Sequence, residues 1–438
     1  MVNSPTYQTV SKANPVFHED NSHVYYIKKQ QSVMGEFSVE AIVQRSAGLD
    51  VHKKIIVITI LLEQMDGSVT EETREYGTTY KACEELSDWI SHNNIQLCVM
   101  ESTGIYWKNI YAALEKKGLR VSVVNARHVK QVPGRKTDVK DSQWLARLAR
   151  YGLVRGSFIP PKDLRELRII ARYRTKLRGT LSGEKNRLHK TLDDAGVRLG
   201  NVVTDISGIT ATKIIEGLVK GKSMEELLAC TRGKLNKKKE ALKAELEAEL
   251  SPRHLFLLKK IQEHIVYLQN ELNDLDAYLF DAMQPYQKQW EILQTIPGID
   301  AVSAALLIIE FGIDMQQFGS REQFCSWAGM CPGNNESAGK KKSGKTQKGS
   351  KQLRYVLCEA ANAAARTDCQ FKHKYKSLMI RRGHKKAIVA VGHKMLRVIF
   401  SRLKEGEIYQ DPQISYEELV VKKNAPRWIK MLNKYQQI

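Results

Sequence analysis

Residues 47–62 have the sequence AGLDVHKKIIVITILL, in which a short polar segment separates two apolar runs. The runs at 47–49 and 55–62 have the composition of β-strands, and the segment between them is short enough for a hairpin. Asp50 lies at the junction, where the first strand ends. This stretch therefore predicts the first hairpin of a sheet, with a carboxylate at a strand end.

The segments that follow the hairpin alternate between strand-like and helix-like patterns. In order they are a third strand VTEETREYGTT (69–79), a helix YKACEELSDWISHN (80–93), a buried strand IQLCVM (95–100), a helix IYWKNIYAALEKKG (105–118), a strand LRVSVVN (119–125) and a helix over about 137–151. A meander of three strands followed by helix, strand, helix, strand is the order of an RNase H-like or RuvC-like α/β domain. We predict this domain for residues 43–158.

Three further acids belong with Asp50. Glu101 follows the buried strand in VMESTG, while Asp138 and Asp141 in KTDVKD are three residues apart and would share one face of the last helix. Mg²⁺ prefers oxygen ligands and binds through a few carboxylates together with substrate phosphate. We therefore predict that the four acids hold Mg²⁺ for phosphodiester chemistry. The alternative is structural, with Asp138 stabilising a helix N-terminus and Asp141 a solvated surface acid.

The overall charge indicates a polyanionic partner. The 438 residues carry 69 Lys and Arg against 48 Asp and Glu, a formal net charge of +21. Cations placed on phosphates release counterions, so nucleic acid is the favoured partner, with solubility as the alternative. Hydrophobic content of 42% is that of a folded protein, and the length allows two or three domains.

The cysteine and hydropathy patterns argue for a cytoplasmic protein. Seven cysteines are scattered without a CxxC pair, which indicates reduced thiols and neither a disulfide framework nor a zinc site. No uncharged run approaches the roughly 18 residues of a membrane span, and the N-terminus lacks a signal pattern. We expect no membrane association.

Residues 159–290 have the composition of long, charged helices. Apolar residues recur with alternating steps of three and four at Leu258, Ile261, Ile265, Leu268, Leu272, Leu275 and Leu279. This heptad seam predicts a coiled coil, and we favour pairing between chains, which implies a homo-oligomer. Packing of the same helix within its own chain is the alternative.

Residues 291–404 are predicted to form a mainly helical domain. IPGID at 296–300 separates two helical runs and resembles a helix-hairpin-helix, whose turn amides would face a phosphate; an ordinary tight turn is the alternative. A polar loop follows at 331–349, then an Ala-rich helix, and a single helix is predicted over 371–406. We treat residues 1–42 as a loosely attached extension and 405–438 as a weakly patterned tail.

The polar loop contains a candidate nucleophile. Ser337 in NESAG is flanked by small residues and cations, and cations stabilise the charge that develops when a hydroxyl attacks a phosphate. From the residues alone, Ser343 and Ser350 are equal rivals. The residues that we expect to bind nucleic acid are Arg135, Lys136, Lys340, Lys341, Lys342, Lys345, Lys348, Lys351 and Arg354.

Taken in order, these motifs resemble the insertion-sequence transposases (recombinases) of the IS-one-ten and IS-eleven-eleven type. The motifs are GLD at Asp50, ESTG at Glu101, KTDxxD at Asp138 and Asp141, IPGI at 296–299 and ESAG at Ser337, and the resemblance covers roughly residues 45–404. The extra N-terminal residues, a 196–235 insert and the lysine-rich ESAGKKKSGK loop depart from the family pattern. The last leaves Ser343 as a minor rival to Ser337.

The resemblance implies a RuvC-like DEDD domain, a coiled-coil segment and a C-terminal transposase domain whose catalytic serine corresponds to Ser337. It also implies donor and target DNA as substrates, a structured guide RNA encoded by the element, and multimers (dimers or tetramers) that combine the DEDD domain of one subunit with the serine domain of another. Such a protein would be cytoplasmic and DNA-associated in a prokaryote.

We therefore predict a DNA recombinase in which Ser337 forms a covalent phosphoserine and the four acids hold Mg²⁺. One alternative is a metal-dependent nuclease or junction resolvase in which water attacks and Ser337 is incidental. Another is a nucleic-acid scaffold without enzymatic activity, in which replacement of Asp138 by asparagine would change nothing.

Overall fold

The computed structural model describes residues 41–102, 104–126, 129, 132, 140–333, 335–337, 339–346, 348–412 and 416–435. The proposed extension, apart from its last two residues, lies outside this part of the chain, as do Asp138, Arg135 and Lys136. The chain divides into two compact units between Ile159 and Pro160.

The N-terminal unit is built on a mixed five-stranded sheet with the strand order β3-β2-β1-β4-β5. Its elements are β1 (Arg45–Val51), β2 (Ile55–Glu63), β3 (Val69–Gly77), α1 (Tyr80–His92), β4 (Leu97–Glu101), α2 (Trp107–Lys116), β5 (Val121–Val124) and α3 (Asp141–Arg150). Strands β1 to β3 form an antiparallel meander, and β1, β4 and β5 are parallel. The predicted RNase H-like order of elements is confirmed.

Helices cover both faces of the central strands because these strands are apolar on both sides. On one face, Ala47 and Leu49 of β1 pack with side chains of α1 and α2, such as Leu86 and Leu114. On the other face, Val99 of β4 belongs to a separate cluster with buried residues of α3. The alternation along β1 and β4 thus assigns each residue to one of two cores.

Helix α3 begins at Asp141, later than the sequence pattern predicted. Lys140 precedes it with an extended backbone (ψ 147°), and the side chain of Gln143 accepts a hydrogen bond from the Lys140 amide at 3.1 Å. The described helix therefore begins about four residues after the predicted start, and the prediction for Asp138 falls outside the described residues.

The C-terminal unit is mainly helical. Its helices are α4 (Lys162–Asp194), α5 (Ile209–Val219), α6 (Met224–Ala229), α7 (Lys239–Leu246), α8 (Pro252–Asp281), α9 (Gln287–Gln294), α10 (Ala301–Phe311), α11 (Arg321–Trp327), α12 (Lys351–Ala364), α13 (Gln370–Arg382), α14 (His384–Glu405) and α15 (Tyr416–Tyr435). Strands β6 (Asn335–Ser337) and β7 (Lys340–Ser343) form a separate two-stranded sheet. None of the described helices is long and apolar enough to cross a membrane.

Helix α8, which carries the heptad seam, packs against α4 of the same chain. Three contacts between polar side chains fix an antiparallel arrangement, because residues advance along α8 as their partners recede along α4. They are His254 with Asp194 at 3.2 Å, His264 with Glu184 at 3.5 Å and Asp276 with Arg174 at 2.8 Å. Leu258 and Ile261 of the seam lie in one core cluster with Leu188 and Leu192 of α4. The preferred interpretation, that this seam pairs two chains, is therefore corrected in favour of packing within the chain.

The IPGID segment joins α9 to α10, so the two predicted helices on either side of this turn are confirmed, while contact of the turn with a phosphate stays a prediction. Gly298 has φ +87°, and a Cβ at this position would lie 2.2 Å from the carbonyl oxygen of Ala360 in α12. Only glycine therefore fits both the turn and the contact. Asp300 begins α10 by accepting a hydrogen bond from the Ser303 amide at 2.7 Å.

Three other expectations for this unit are corrected. The segment predicted as a polar loop contains the β6–β7 hairpin, whose strands are joined by backbone pairing despite lacking an apolar face. The single helix predicted over 371–406 is two helices, since Gly383 has φ +73° and breaks it between α13 and α14. The weakly patterned tail contains α15, along which Trp428 and Ile429 are exposed.

Candidate functional site

Asp50 and Glu101 occupy neighbouring positions at the carboxyl ends of two parallel strands. The β1–β4 register pairs Gly48 with Val99 and Leu49 with Met100, so the next residues along both strands are Asp50 and Glu101. Asp50 lies two residues after Gly48, and Glu101 lies two residues after Val99, so both acids are on the same face of the sheet as Val99. That face is the one that α3 covers, because Val99 lies in the α3 core cluster.

Helix α3 places its first residue at the same edge. The backbone of α3 lies directly on Gly48, where an added Cβ would be 2.1 Å from the Ser142 carbonyl oxygen and 2.2 Å from the Ala146 amide nitrogen. Farther back along β1, Ser46 donates a hydrogen bond to the Ala146 carbonyl at 3.0 Å. The helix therefore runs opposite to β1, and its N-terminus points toward the strand end that holds Asp50.

Three of the four predicted acids thus lie toward one edge of the sheet, on the face that α3 covers. Asp50, Glu101 and Asp141 come from β1, β4 and the first turn of α3, while Asp138 lies outside the described residues. Asp50 is a quarter exposed, and its Oδ2 lies 3.0 Å from Nε2 of His52. Sequence reasoning missed His52, although a polar residue two positions after Asp50 at a strand end was a signal for it.

The donor types at this edge fit a hard divalent cation. Carboxylates from separate elements are the ligands that Mg²⁺ uses, with water and substrate phosphate completing its coordination. In the conformation described, the carboxylate of Asp50 faces His52, and no three His, Cys, Asp or Glu side chains of the described residues are grouped closely enough to hold a metal ion. Binding of Mg²⁺ by Asp50, Glu101, Asp138 and Asp141 therefore stays a prediction.

Ser337 lies in the C-terminal unit, at the tip of the β6–β7 hairpin. The backbone register pairs Ser337 with Lys340 and Glu336 with Lys341, and Gly339 at the turn has φ +72°. Ser343 is paired with Asn335, at the opposite end of the hairpin. The two candidate nucleophiles therefore occupy different positions, and Ser337 is the one beside the turn.

Both ends of the segment that carries the hairpin are fixed by close contacts. The Gly333 amide donates to the Lys345 carbonyl at 2.9 Å, and a Cβ on Gly349 would lie 2.5 Å from the Ala328 carbonyl oxygen. Ser350 then begins α12 by accepting a hydrogen bond from the Leu353 amide at 3.2 Å. The hydroxyl of Ser350 also donates to Oε2 of Glu310 at 3.2 Å.

Glu310 is the centre of a buried polar cluster that sequence reasoning missed. Only 3% of its side chain is exposed, and it lies 3.3 Å from the guanidinium of Arg172 and 3.8 Å from that of Arg168. Arg168 also donates to the backbone carbonyls of Ile309 and Glu310. Burial lowers the pKa of Arg168, while the charge of Glu310 opposes that effect. The signal for this cluster in the sequence was the glutamate within the apolar run ALLIIEFG.

The predicted nucleic-acid-binding residues fall into four groups. Lys345, Lys348 and Lys351 are exposed, and Lys340, Lys341 and Lys342 lie on β7. Arg354 is half-buried, and its guanidinium donates to the Gly329 carbonyl at 2.6 Å, so it stabilises the segment before the hairpin. Arg135 and Lys136 lie outside the described residues. Binding of nucleic acid by all of them stays a prediction.

The sheet order and the helical unit that follows it define a protein of the RNase H-like, RuvC-like class. Residues 47–196 match a transposase model of the DEDD type, and residues 290–376 match the model described as "Transposase IS116/IS110/IS902 family". Together the two matches cover more than half of the chain. The chain belongs to this family of insertion-sequence transposases.

Curated relatives are similar over part of their length. A putative transposase of Sinorhizobium fredii is 28% identical over 28% of this chain and 33% of its own length. The transposase for insertion sequence element IS1328 of Yersinia enterocolitica is 29% identical over 26% and 34%. A probable family 20 transposase of Pseudomonas aeruginosa is 26% identical over 42% and 56%, so the chain spans at most about half the length of these relatives. A Thermus thermophilus RuvC structure aligns over 26% of this chain and 99% of that chain, with 11% identity and a TM-score of 0.21.

Proposed function

We propose that the protein cleaves and rejoins DNA strands as the recombinase of an insertion sequence, with Ser337 as nucleophile and Mg²⁺ held by Asp50, Glu101, Asp138 and Asp141. The observation that supports the proposal is the placement of Asp50, Glu101 and Asp141 toward one edge and on one face of the sheet. Three acids from separate elements at one strand edge are the arrangement that a divalent-metal site would need.

In the proposed step, the Ser337 hydroxyl oxygen attacks a phosphorus atom of the DNA backbone. A bond forms between that oxygen and phosphorus, the bond from phosphorus to the 3′-oxygen breaks, and the serine proton is transferred in net to the departing oxygen. One product is a phosphoserine that carries the 5′ end of one DNA segment, and the other is a free 3′-hydroxyl on the second segment. This 3′-hydroxyl can attack the phosphoserine of another strand, which reverses the step and joins the two. When bound, Mg²⁺ supplies charge stabilisation at the attacked phosphate and helps to ionise the hydroxyl.

The chain's own residues support this chemistry. Lys340 pairs with Ser337 across the hairpin, which places a cationic residue beside the candidate nucleophile. Positive charge near the attacked phosphate stabilises the charge that develops on its oxygens. Lysines of the hairpin and the exposed Lys348 and Lys351 would position the DNA backbone without reading its sequence.

The proposal extends to partners that the family resemblance implies. A structured RNA encoded by the element would select donor and target DNA by base pairing, and several copies of the chain would assemble on the two DNA molecules. The first part of the heptad seam of α8 does not support this assembly, because Leu258 and Ile261 pack within one chain.

Trapping of a covalent adduct tests the proposal. The full chain is incubated with Mg²⁺ and a labelled DNA duplex taken from the genomic sequence flanking the reading frame, with and without RNA transcribed from the same region. We expect an adduct that Ser337→Ala and Asp50→Asn abolish and that Ser343→Ala retains. Ser343→Ala is the matched control, since Ser343 lies on the same hairpin but at its other end.

The other outcomes select among the alternatives. Loss of the adduct in Ser343→Ala but not in Ser337→Ala would move the nucleophile. Cleavage without any adduct would favour attack by water, as in a junction resolvase. Unchanged cleavage in both Asp50→Asn and Asp138→Asn would contradict the metal site.

A further inference from the structure

A large cavity lies beside the hairpin in the C-terminal unit. Its volume is about 2160 Å³, and it is bounded by α13, α14, the foot of the hairpin and the segment 407–412. Sites for small molecules usually occupy roughly 300–1,000 Å³. The size of this cavity, which we call the basic groove, therefore suits a segment of a polymer.

The groove is lined by one face of each of two helices. Helix α13 contributes Gln370, Lys374, Leu378 and Arg382, which recur every four residues and therefore lie above one another. On α14 the lining residues include Lys386, Ala390, Lys394 and Arg397, with a similar spacing. The opposite face of α14 is buried in the core of the unit, so the groove face is fixed in place.

The lining is strongly cationic. Among the described residues, nine Lys or Arg line the groove, against one acid, Glu407. Arg402 is paired with Glu407 at 3.1 Å, and Arg397 lies 3.4 Å from the exposed Glu322. Within the part of the chain that the structure describes, neither Lys374 nor Lys386 has a carboxylate at ion-pair distance. An anionic ligand would supply the missing negative charge.

Lys394 lies in the middle of this lining and is half-buried. Burial and the nearby charge of Lys374 lower the pKa of Lys394, and the charge of Asp411 partly opposes them. A phosphate between the two lysines would relieve their repulsion, because it brings negative charge into a region where cations already crowd one another.

One wall of the groove is built before any ligand arrives. The Tyr409 hydroxyl donates a hydrogen bond to Asp411 at 2.7 Å. Gln370 donates to the Tyr409 hydroxyl from its side chain at 2.6 Å and to Asp411 from its backbone amide at 3.0 Å. The Tyr409 amide also donates to the Thr295 hydroxyl at 2.8 Å. These bonds tie the segment 407–412 to the start of α13, so binding would not require this wall to be ordered.

The groove extends to the hairpin that carries Ser337. Its lining includes Gly333, Gly344, Lys345 and Thr346, and the hairpin is closed at this end by a bridge between Pro332 and Thr346. A strand that lies along α13 and α14 would therefore reach the foot of the hairpin, whose tip holds Ser337.

We propose that the basic groove binds the phosphodiester backbone of the DNA strand whose phosphate Ser337 attacks. This assignment of DNA rests on the proposed function, because the candidate nucleophile acts on DNA. The groove contacts phosphates through Lys374, Lys386 and their neighbours, and its apolar residues face the sugars. Recognition of sequence is not part of its role, since lysine contacts to the backbone carry no base information.

The salt dependence of DNA binding tests the groove. The full chain and its Lys374→Gln/Lys386→Gln variant are titrated into a short fluorescein-labelled DNA duplex of arbitrary sequence at several salt concentrations, and anisotropy is recorded. We expect the slope of log K against log salt to fall in magnitude by about two, one for each lost phosphate contact. The matched control is Lys376→Gln/Lys404→Gln, which removes two charges from the same helices outside the groove.

An unchanged slope in the groove variant, or an equal loss in the control, would overturn the proposal. An RNA duplex of the same sequence separates the two sources of phosphate: a greater loss of RNA binding than of DNA binding in the groove variant would overturn the assignment to DNA. Ser337→Ala separates this proposal from that of the nucleophile. This variant should keep the wild-type slope. If the wild-type chain forms no adduct, but the groove variant still binds DNA with a reduced slope, only the proposal that Ser337 is the nucleophile is refuted.

Discussion

The two candidate catalytic elements are held in place by different kinds of interaction. In the N-terminal unit, Asp50 and Asp141 are placed by a helix backbone that rests on a strand backbone, with no room at Gly48 for a single methyl group. In the C-terminal unit, Ser337 lies on a short hairpin whose continuation into α12 depends on Ser350 and Glu310. The first arrangement depends on close packing, and the second depends on a polar network.

This difference predicts opposite sensitivities. Close packing is insensitive to the loss of one polar contact but does not tolerate added atoms, because protein interiors have few voids. A buried polar network tolerates small changes in volume but not the loss of a charge partner, since an unpaired buried charge is costly. A variant that adds one methyl group and a variant that removes one charge can therefore distinguish close packing from a polar network.

The largest effect is expected for Gly48→Ala. The new Cβ would lie within 2.2 Å of backbone atoms in α3, so the helix must move away from β1. We expect the free energy of unfolding to fall by about 3 kcal/mol, as for severe overpacking, and adduct formation to be lost because Asp141 moves away from Asp50. Urea denaturation and the trapping assay measure the two effects.

Gly77→Ala is the control for this variant. It lies at the end of β3 in the same sheet, and its added Cβ would lie 3.6 Å from Cβ of Ala82, which is an ordinary contact. Its stability should stay within about 0.5 kcal/mol of the wild-type value. A Gly48→Ala protein that resembles this control would show that α3 does not depend on close packing at β1.

A smaller loss of stability is expected for Glu310→Gln. The change leaves Arg168 without its carboxylate, although burial already disfavours the charge of this arginine. Removing one partner of a buried ion pair costs about 3 kcal/mol, and we expect somewhat less here because Arg172 is half exposed. Adduct formation should decrease as the start of α12 loses its anchor, whereas DNA binding in the anisotropy assay should be retained.

Glu263→Gln provides the comparison, because Glu263 pairs with Lys260 at 2.7 Å on an exposed helix surface. Exposed pairs contribute less than about 1 kcal/mol. If Glu310→Gln were no more costly than Glu263→Gln, the network around Glu310 would not be what stabilises the hairpin segment.

The same difference explains which features the sequence could predict. The apolar runs of β1, β2 and β4 have strong patterns, so the sheet order and the placement of Asp50 and Glu101 at strand ends followed from local signals. The hairpin at Ser337 was missed because its residues are polar, so the backbone pairing of its strands has no apolar pattern to announce it. The described start of α3 differs from the predicted one because Lys140 and Gln143 form a cap that has no clear sequence signature.

Two further features depend on long-range contacts that one sequence does not reveal. A heptad pattern is the same whether its partner is α4 of the same chain or a second copy, and the sequence interpretation chose the second copy. Glu310 was visible as an acid in an apolar helix, but its partner Arg168 lies far upstream in the chain, on α4. Such pairs become apparent only after folding.

The smallest effect is expected for Ser350→Ala, which tests how much the bond from Ser350 to Glu310 adds to the helix cap that Ser350 forms. Ser350 and Ser320 both begin helices by accepting an amide hydrogen bond at 3.2 Å, but only Ser350 is described as also donating to a buried carboxylate. Loss of the cap should cost about 1 kcal/mol in Ser350→Ala and in Ser320→Ala alike. The additional bond should make Ser350→Ala costlier by about another 1 kcal/mol, and only this variant should slow adduct formation. Equal unfolding free energies for the two variants in urea would contradict a stabilising contribution from the Ser350–Glu310 bond and leave the cap alone to hold the end of the hairpin segment.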